Sequence, residues 1–171
     1  MHCSVFLGAS LDGFIARKDG SLDWLKPFDN SGEDYGFNEF FASIDTVLLG
    51  RKTYDVVLGF DRWFYAGKRC MVVTHRPAKS VHGEEFMSGT PSELLKRLEA
   101  DGSKRIYVDG GALVSQFLGA GLVDSLTISV APILLGEGVP VSPNLGKDVT
   151  LKLTEHRAFP SGMMQLKYST K

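Results

Sequence analysis

Residues Val47 to Tyr54 read Val-Leu-Leu-Gly-Arg-Lys-Thr-Tyr. An apolar run stops at Gly50, and a guanidinium (Arg51), an ammonium (Lys52) and a hydroxyl (Thr53) follow. Tyr54, Val57 and Leu58 then recur at helical spacing. A strand feeding a helix start in this way leaves backbone N–H groups unpaired at the positive end of the helix dipole, which favours an anion. Arg51 and Lys52 add charge that pairs with phosphate, and Gly50 admits a close backbone approach. The pattern returns at Ile106-Tyr107-Val108-Asp109-Gly110-Gly111-Ala112-Leu113. Two such junctions in one chain suit an extended ligand carrying several phosphates, a dinucleotide. A third group of candidates is Thr74, His75 and Arg76, at the end of the apolar run Cys70–Thr74. A hydroxyl, an imidazole and a guanidinium there suit a phosphomonoester dianion.

The elements that must position these groups are legible from periodicity. Val5–Ser10 is a continuous apolar run, as expected of a strand buried on both faces. Leu11-Asp12-Gly13 turns the chain, Phe14–Ala16 is a short extended piece, and Ser21–Gly32 (with Pro27, Asn30 and Ser31) has loop composition. Trp24 and Phe28 in that loop, and Tyr35 after it, need either core or ligand to lie against. Phe37, Phe40, Phe41 and Ile44 predict a helix over Glu33–Ser43. Strands are expected at Asp45–Leu49, Cys70–Thr74, Val81–Phe86 and Ile106–Val108. Helices are expected from Thr90-Pro91-Ser92-Glu93, which has capping-box spacing, through Leu98, and over Ala112–Leu118. After residue 125 the pattern changes to strict alternation: Leu126–Val130, Leu151–Thr154 and Met164–Tyr168, the last two joined at Pro160-Ser161-Gly162. Alternation predicts half-exposed, antiparallel strands. The whole reads as α/β, with βαβ units followed by antiparallel strands in one mixed sheet over a single domain, residues 1–171.

Composition narrows the function classes. With 171 residues, 43% hydrophobic and 23% charged, the chain suits one soluble globular domain. A net charge of −1 without a basic block gives no footprint for nucleic acid. No run of apolar residues is long enough to span a membrane, and no leader pattern opens the chain, so a cytoplasmic location is expected. Cys3 and Cys70 sit in apolar runs and read as buried, reduced thiols; the four histidines lack metal-ligand spacing, and no metal is expected. Asp109 before Gly110 has the form of an Asx-type turn residue.

Four motifs in order carry a resemblance: Ser10-Leu11-Asp12-Gly13-Phe14-Ile15-Ala16, Gly50-Arg51-Lys52-Thr53-Tyr54, Val108-Asp109-Gly110-Gly111 and Pro132-Ile133-Leu134-Leu135-Gly136-Glu137-Gly138. The chain resembles the dihydrofolate reductase-like superfamily along essentially its full length. Within it, the chain is most similar to the C-terminal reductase domain of the riboflavin-biosynthesis deaminase/reductase and its stand-alone relatives. The resemblance implies a three-layer α/β/α fold with a mixed, mostly parallel central sheet and antiparallel C-terminal strands. NADPH is the implied cofactor and a homodimer the implied assembly. It places Ala9 and Ile15 at the nicotinamide, and Gly50, Arg51, Lys52 and Thr53 opposite Val108, Gly110, Gly111, Ala112 and Leu113 at the pyrophosphate. Thr74, His75 and Arg76 fall by the 2′-phosphate. Asp34 falls where these reductases carry the carboxylate that assists protonation, and Trp24, Tyr35 and Asn38 fall at the substrate. Asn38 replaces an aromatic residue, Lys68 replaces the arginine that grips folate, and the supporting threonine expected near Gly138 is missing, which argues against folate. The expectation is an NADPH-dependent reductase acting on a C=N or C=O group of a small heterocyclic or sugar-derived substrate, with the loop Lys18–Gly32 as a lid. Alternatives are the 5-amino-6-(5-phosphoribosylamino)uracil reductase of riboflavin biosynthesis, a dihydrofolate reductase, and a non-catalytic NADPH-binding module.

Overall fold

The computed structural model describes residues 1–29, 31–76 and 78–171; Asn30 of the expected loop and Pro77 after Arg76 lie outside the described residues. Its elements run β1 (His2–Ser10), β2 (Phe14–Ala16), a 3₁₀ turn (Asp23–Leu25), α1 (Lys26–Asp29), α2 (Phe37–Ser43), β3 (Thr46–Gly50), α3 (Arg51–Val57), β4 (Arg69–Val73) and β5 (Glu85–Met87). There follow α4 (Pro91–Ala100), β6 (Arg105–Asp109), α5 (Gly111–Gly119), β7 (Ser125–Ala131), β8 (Val139–Pro140), β9 (Lys152–Ala158) and β10 (Met164–Ser169). Eight strands form one sheet in the order β5-β4-β3-β6-β1-β7-β10-β9, and β2 pairs with β8 apart from it.

Strand alternation divides the core between the two faces of this sheet. Leu48, Ile106, Val108 and Val5 meet α4 and α5 through Leu94, Leu98, Val114 and Phe117. Val47, Leu49, Val72 and Tyr107 meet α2 and α3 through Phe37, Phe40, Tyr54 and Val57. The fold is therefore three-layered, with a mixed, mostly parallel sheet and antiparallel strands at the end, as the resemblance implied.

Four local readings are corrected. The helix expected from Glu33 begins only at Phe37, because Tyr35 (φ 53°) and Gly36 (φ 77°) are left-handed and cannot continue helically. The strand expected over Val81–Phe86 is confined to Glu85–Met87, since the preceding residues turn around the Glu84 carboxylate. The loop Ser21–Gly32 contains a 3₁₀ turn and one helical turn. The alternating strand β7 is antiparallel only to β10; on its other side it runs parallel to β1 over seven residue pairs. Alternation reports how the faces are covered, not strand direction.

Candidate active site

β1 and β6 are neighbours, yet they pair only where His2–Ser4 meet Arg105–Tyr107. Beyond that point β1 continues to Ser10 and β6 to Asp109 without pairing to each other. The chain then leaves β1 toward α2 on one face and leaves β6 into α5 on the other. Such a reversal opens a crevice at the carboxyl ends of the strands, the usual ligand position in α/β sheets. The Tyr107 hydroxyl bridges the base of the gap by donating to the Phe6 carbonyl at 2.8 Å.

The two glycine junctions meet at this crevice. Gly110 (φ 95°) is the residue before α5, and a Cβ there would collide with Thr53 Oγ1. A Cβ on Gly111 would lie 2.9 Å from both Ile15 Cδ1 and the Pro140 carbonyl, and one on Gly50 would lie 3.8 Å from Leu113 Cβ. Ile15, Gly50, Thr53, Gly110, Gly111 and Leu113 thus come together. No side chain among the described residues caps the start of α3 or α5. Ala112 is exposed on the first turn of α5 and Lys52 on that of α3, while Ala9 is buried near the end of β1. Val108 points into the core beneath α4 and α5, so only its backbone can face a ligand.

Arg51 ties the junction to the third group of candidates. Its Nη1 donates to the Arg76 carbonyl at 2.8 Å and its Nε to Asp55 at 2.8 Å. Thr74 Oγ1 accepts from the Arg76 N–H at 3.0 Å, which folds the segment into a tight turn with His75 and Arg76 exposed. His75 also lines an open recess of about 550 Å³ with Thr90, Pro91 and, on α5 beyond the glycine junction, Gln116.

The residue that sequence reasoning missed is Asp109. It is half-buried at the end of β6, where Tyr65 donates to its Oδ2 and Tyr107 also faces its carboxylate. Burial pushes this carboxyl above its ordinary value despite the Tyr65 donor, and both phenols lie well above theirs, chiefly through burial. A carboxyl group raised by burial at the end of a strand beside the crevice is a candidate general acid. The available signal was a charged residue closing an otherwise buried strand. Tyr65, in the aromatic segment after α3, carried none.

Asp34, which the resemblance implied as the carboxylate that assists protonation, lies just before α2. Its carboxylate is exposed and accepts from the N–H groups of Gly36 (3.0 Å) and Asn38 (3.2 Å), which hold it below its ordinary value. It caps the start of α2 and stays ionised, which suits an anchor better than a proton donor. Asn38 is exposed beside it. Trp24 and Tyr35, expected at the substrate, are buried with Ala131, Phe159 and Met163. The Tyr35 hydroxyl meets Ser31, Ser161 and the Phe28 carbonyl. Lys68 precedes β4, at the sheet edge opposite the crevice, and donates to the Ile44 carbonyl at 2.6 Å. Gly138 has no room for a threonine, because any Cβ there would collide with the Ala16 carbonyl. Two of the four motifs are one structural unit: Asp12 accepts from Ser10 Oγ (2.6 Å), Leu135 N (3.0 Å) and Gly136 N (2.7 Å), and these donors hold its carboxyl down to about 2. Among the described residues no cluster of His, Cys, Asp and Glu could hold a metal ion, and no helix is long and apolar enough to cross a membrane.

The strand order, the crevice and the paired glycine junctions define a dihydrofolate reductase-like protein. The dihydrofolate reductase of Enterococcus faecalis complexed with NADP(H) superposes with a TM-score of 0.70 over 98% of this chain and 95% of that one, at 19% identity, a likeness of fold alone. Residues 62–165 match the RibD C-terminal domain, and the chain belongs to that family. It is 36% identical to the uncharacterized protein YwjB of Bacillus subtilis over 96% of this chain and 95% of that protein. A putative riboflavin biosynthesis protein from Shewanella sp. PV-4 superposes with a TM-score of 0.91 at 31% identity, over 99% of this chain and 98% of that one.

Proposed function

We propose that the protein is an NADPH-dependent reductase that delivers a hydride to a C=N or C=O carbon of a small heterocyclic or sugar-derived substrate. The observation that carries this reading is the meeting of two bare glycine junctions at the β1/β6 crevice, with the Thr74–Arg76 turn tied to one of them through Arg51.

The residues present fit the cofactor. Gly110 and Gly111 admit no side chain, so backbone lines the crevice there, and α5 opens without a side-chain cap among the described residues. First-turn N–H groups are then free for an anion. Gly50–Thr53 and Gly110–Leu113 would hold the pyrophosphate, Thr74–Arg76 the 2′-phosphate, and Ala9 and Ile15 the nicotinamide end. When bound, NADPH supplies the hydride. Asp109, its carboxyl raised by burial, is the candidate source of the matching proton, with hydride going to carbon and the proton to the substrate nitrogen or oxygen. Tyr65 orients that carboxyl, and the Lys18–Gly32 loop is the lid that excludes water.

The narrower substrate reading is 5-amino-6-(5-phosphoribosylamino)uracil, supported by family membership and by the likeness to the Shewanella protein. Dihydrofolate fits less well, given Lys68 at the opposite edge and the closed position at Gly138. Calorimetric titration with NADPH and NADH, followed by hydride turnover on a substrate panel, tests the proposal. Tight NADPH binding with preference over NADH is expected. Binding of neither nucleotide overturns it, and binding without turnover on any substrate leaves a cofactor-binding module.

A further inference from the structure

Asp109 alternates with Val108 on β6, so its carboxyl projects on the α2/α3 side of the sheet, as Tyr107 does. An aromatic collar surrounds it there. Tyr65 donates to Asp109, and the Phe64 ring meets Tyr65 edge-on at 5.3 Å. Phe64 lies 5.2 Å from Phe37, Phe37 5.4 Å from Phe6 on β1, and Phe6 4.9 Å from Phe40. Phe40 closes the ring on Tyr107 at 5.1 Å. Exposure rises outward along this collar: Tyr65 and Tyr107 are buried, at 1% and 3%, Phe6 and Phe37 are half-buried, and Phe64 is 37% exposed. Phe6 is reached by solvent although β1 lies in the middle of the eight-stranded sheet, which marks a hollow above it. Trp24 and Tyr35, expected at the substrate, are enclosed in a cluster of their own. The collar is the aromatic surface beside Asp109.

We infer, resting on the reductase reading, that this collar is the substrate's own site and that it takes a planar heterocycle carrying no phosphate. A flat unsaturated ring packs stacked or edge-on against Phe37 and Phe64, a gain beyond the area it buries. Because the collar leads from solvent to Asp109, a ring seated on it points its reducible end at the proposed proton donor. The charge pattern excludes the phosphate. No lysine or arginine occurs between Lys26 and Arg51, whereas Glu33, Asp34 and Glu39 lie on α2 or just before it. The N–H groups of Gly36 and Asn38 keep Asp34 ionised. Asp61 and Arg62, in the segment that carries Phe64, cancel in formal charge, and the Lys68 ammonium is held by the Ile44 carbonyl. Carboxylates without a matching cation repel a phosphate dianion, and such a repulsive element is how a site refuses a wrong partner. The wall thereby selects a neutral ring over the phosphorylated pyrimidine of the narrower reading.

The test is equilibrium dialysis of the full chain, saturated with NADP+ so that the cofactor's phosphate sites are filled, against lumazine, uridine and uridine 5′-monophosphate. Lumazine is a flat, uncharged bicyclic ring; the other two share one pyrimidine and differ by a phosphate. The wild type should bind lumazine, and should bind uridine more tightly than its monophosphate. Phe64→Ala should weaken lumazine roughly tenfold, the usual worth of one aromatic stacking partner, and Phe37→Leu should act in the same direction. Phe64 is partly exposed, so its truncation leaves the packed core intact, and circular dichroism establishes folding of both variants. Glu33→Gln combined with Glu39→Gln should narrow the gap between uridine and its monophosphate while lumazine binds as before. NADPH affinity, read by calorimetry, should stay at the wild-type value in every variant. A wild type that binds no NADPH overturns the reductase reading itself. Intact NADPH binding with lumazine affinity unchanged in Phe64→Ala and Phe37→Leu overturns this inference alone. So does a wild type that binds no lumazine, or one that binds the monophosphate as tightly as uridine.

Discussion

At the scale of single residues, the proposed proton donor is Asp109. Its carboxyl is raised because burial penalises the charged form more than the Tyr65 hydroxyl and the Gly110 N–H favour it. Replacing it by Asn keeps the shape and removes the proton. Turnover should fall by roughly 10²-fold or more, the usual worth of a positioned general acid. The wild-type rate should decline as pH rises through the raised value, whereas the Asn variant stays low and flat; a variant with the wild-type pH profile would remove Asp109 from the chemistry. The same shift has a sign for stability. A carboxyl whose folded value lies above its unfolded one stabilises the fold most below the unfolded value, and that contribution is lost as pH climbs to the folded one. Arg51 makes a separable prediction. Arg51→Ala should weaken NADPH by up to about 3 kcal/mol, the range of a charge-assisted contact. Part of that loss reflects a looser Thr74–Arg76 turn, since the Arg51 guanidinium also holds the Arg76 carbonyl. Calorimetry reads it directly, and unchanged affinity would detach the first junction from the cofactor.

At the scale of elements, α3 is positioned from below by a buried clamp. Glu84, 3% exposed, accepts from the Tyr54 hydroxyl and from the N–H groups of Val81 (2.8 Å) and His82 (2.7 Å). Burial alone would raise its carboxyl, but these donors outweigh it and hold Glu84 down to about 2, while burial and Glu84 push Tyr54 up to about 12. Tyr54→Phe leaves the carboxylate short of a donor and should destabilise the protein by about 1–3 kcal/mol in urea unfolding. For a depressed carboxyl the contribution is complete above the unfolded value and is lost as pH falls toward the folded one, so the gap between wild type and variant should close in acid. A gap that stays constant in acid would mean that Glu84 is not the partner that matters. The same clamp explains why Val81–Phe86 could not be read correctly. An acceptor that gathers nearby backbone N–H groups bends the chain, and no periodicity announces it. The glycine junctions, by contrast, were legible, because an apolar run, a glycine and a hydroxyl or cation are local signals of a strand meeting a helix. Asp34 was legible only as a carboxylate near a helix start. Its neighbours Tyr35 and Gly36, both at positive φ, turn it from a helix residue into a cap. Asp109 was hidden because its role depends on Tyr65, 44 residues away in the chain.

At the scale of the whole molecule, the strand order puts the crevice between β6 and β1, in the middle of the eight-stranded sheet. Nucleotide binding there should be read as a change in the stability of the whole fold. A ligand that binds only the folded state stabilises it by roughly 2.7 kcal/mol at a hundredfold excess over Kd. A domain of this size gains roughly 2–4 °C per kcal/mol, so NADPH should raise the melting temperature by about 5–11 °C. NADH at the same concentration should do less, and Arg76→Ala should bring the NADPH shift down to the NADH value. Equal shifts from the two nucleotides in the wild type would refute the 2′-phosphate assignment at Thr74–Arg76.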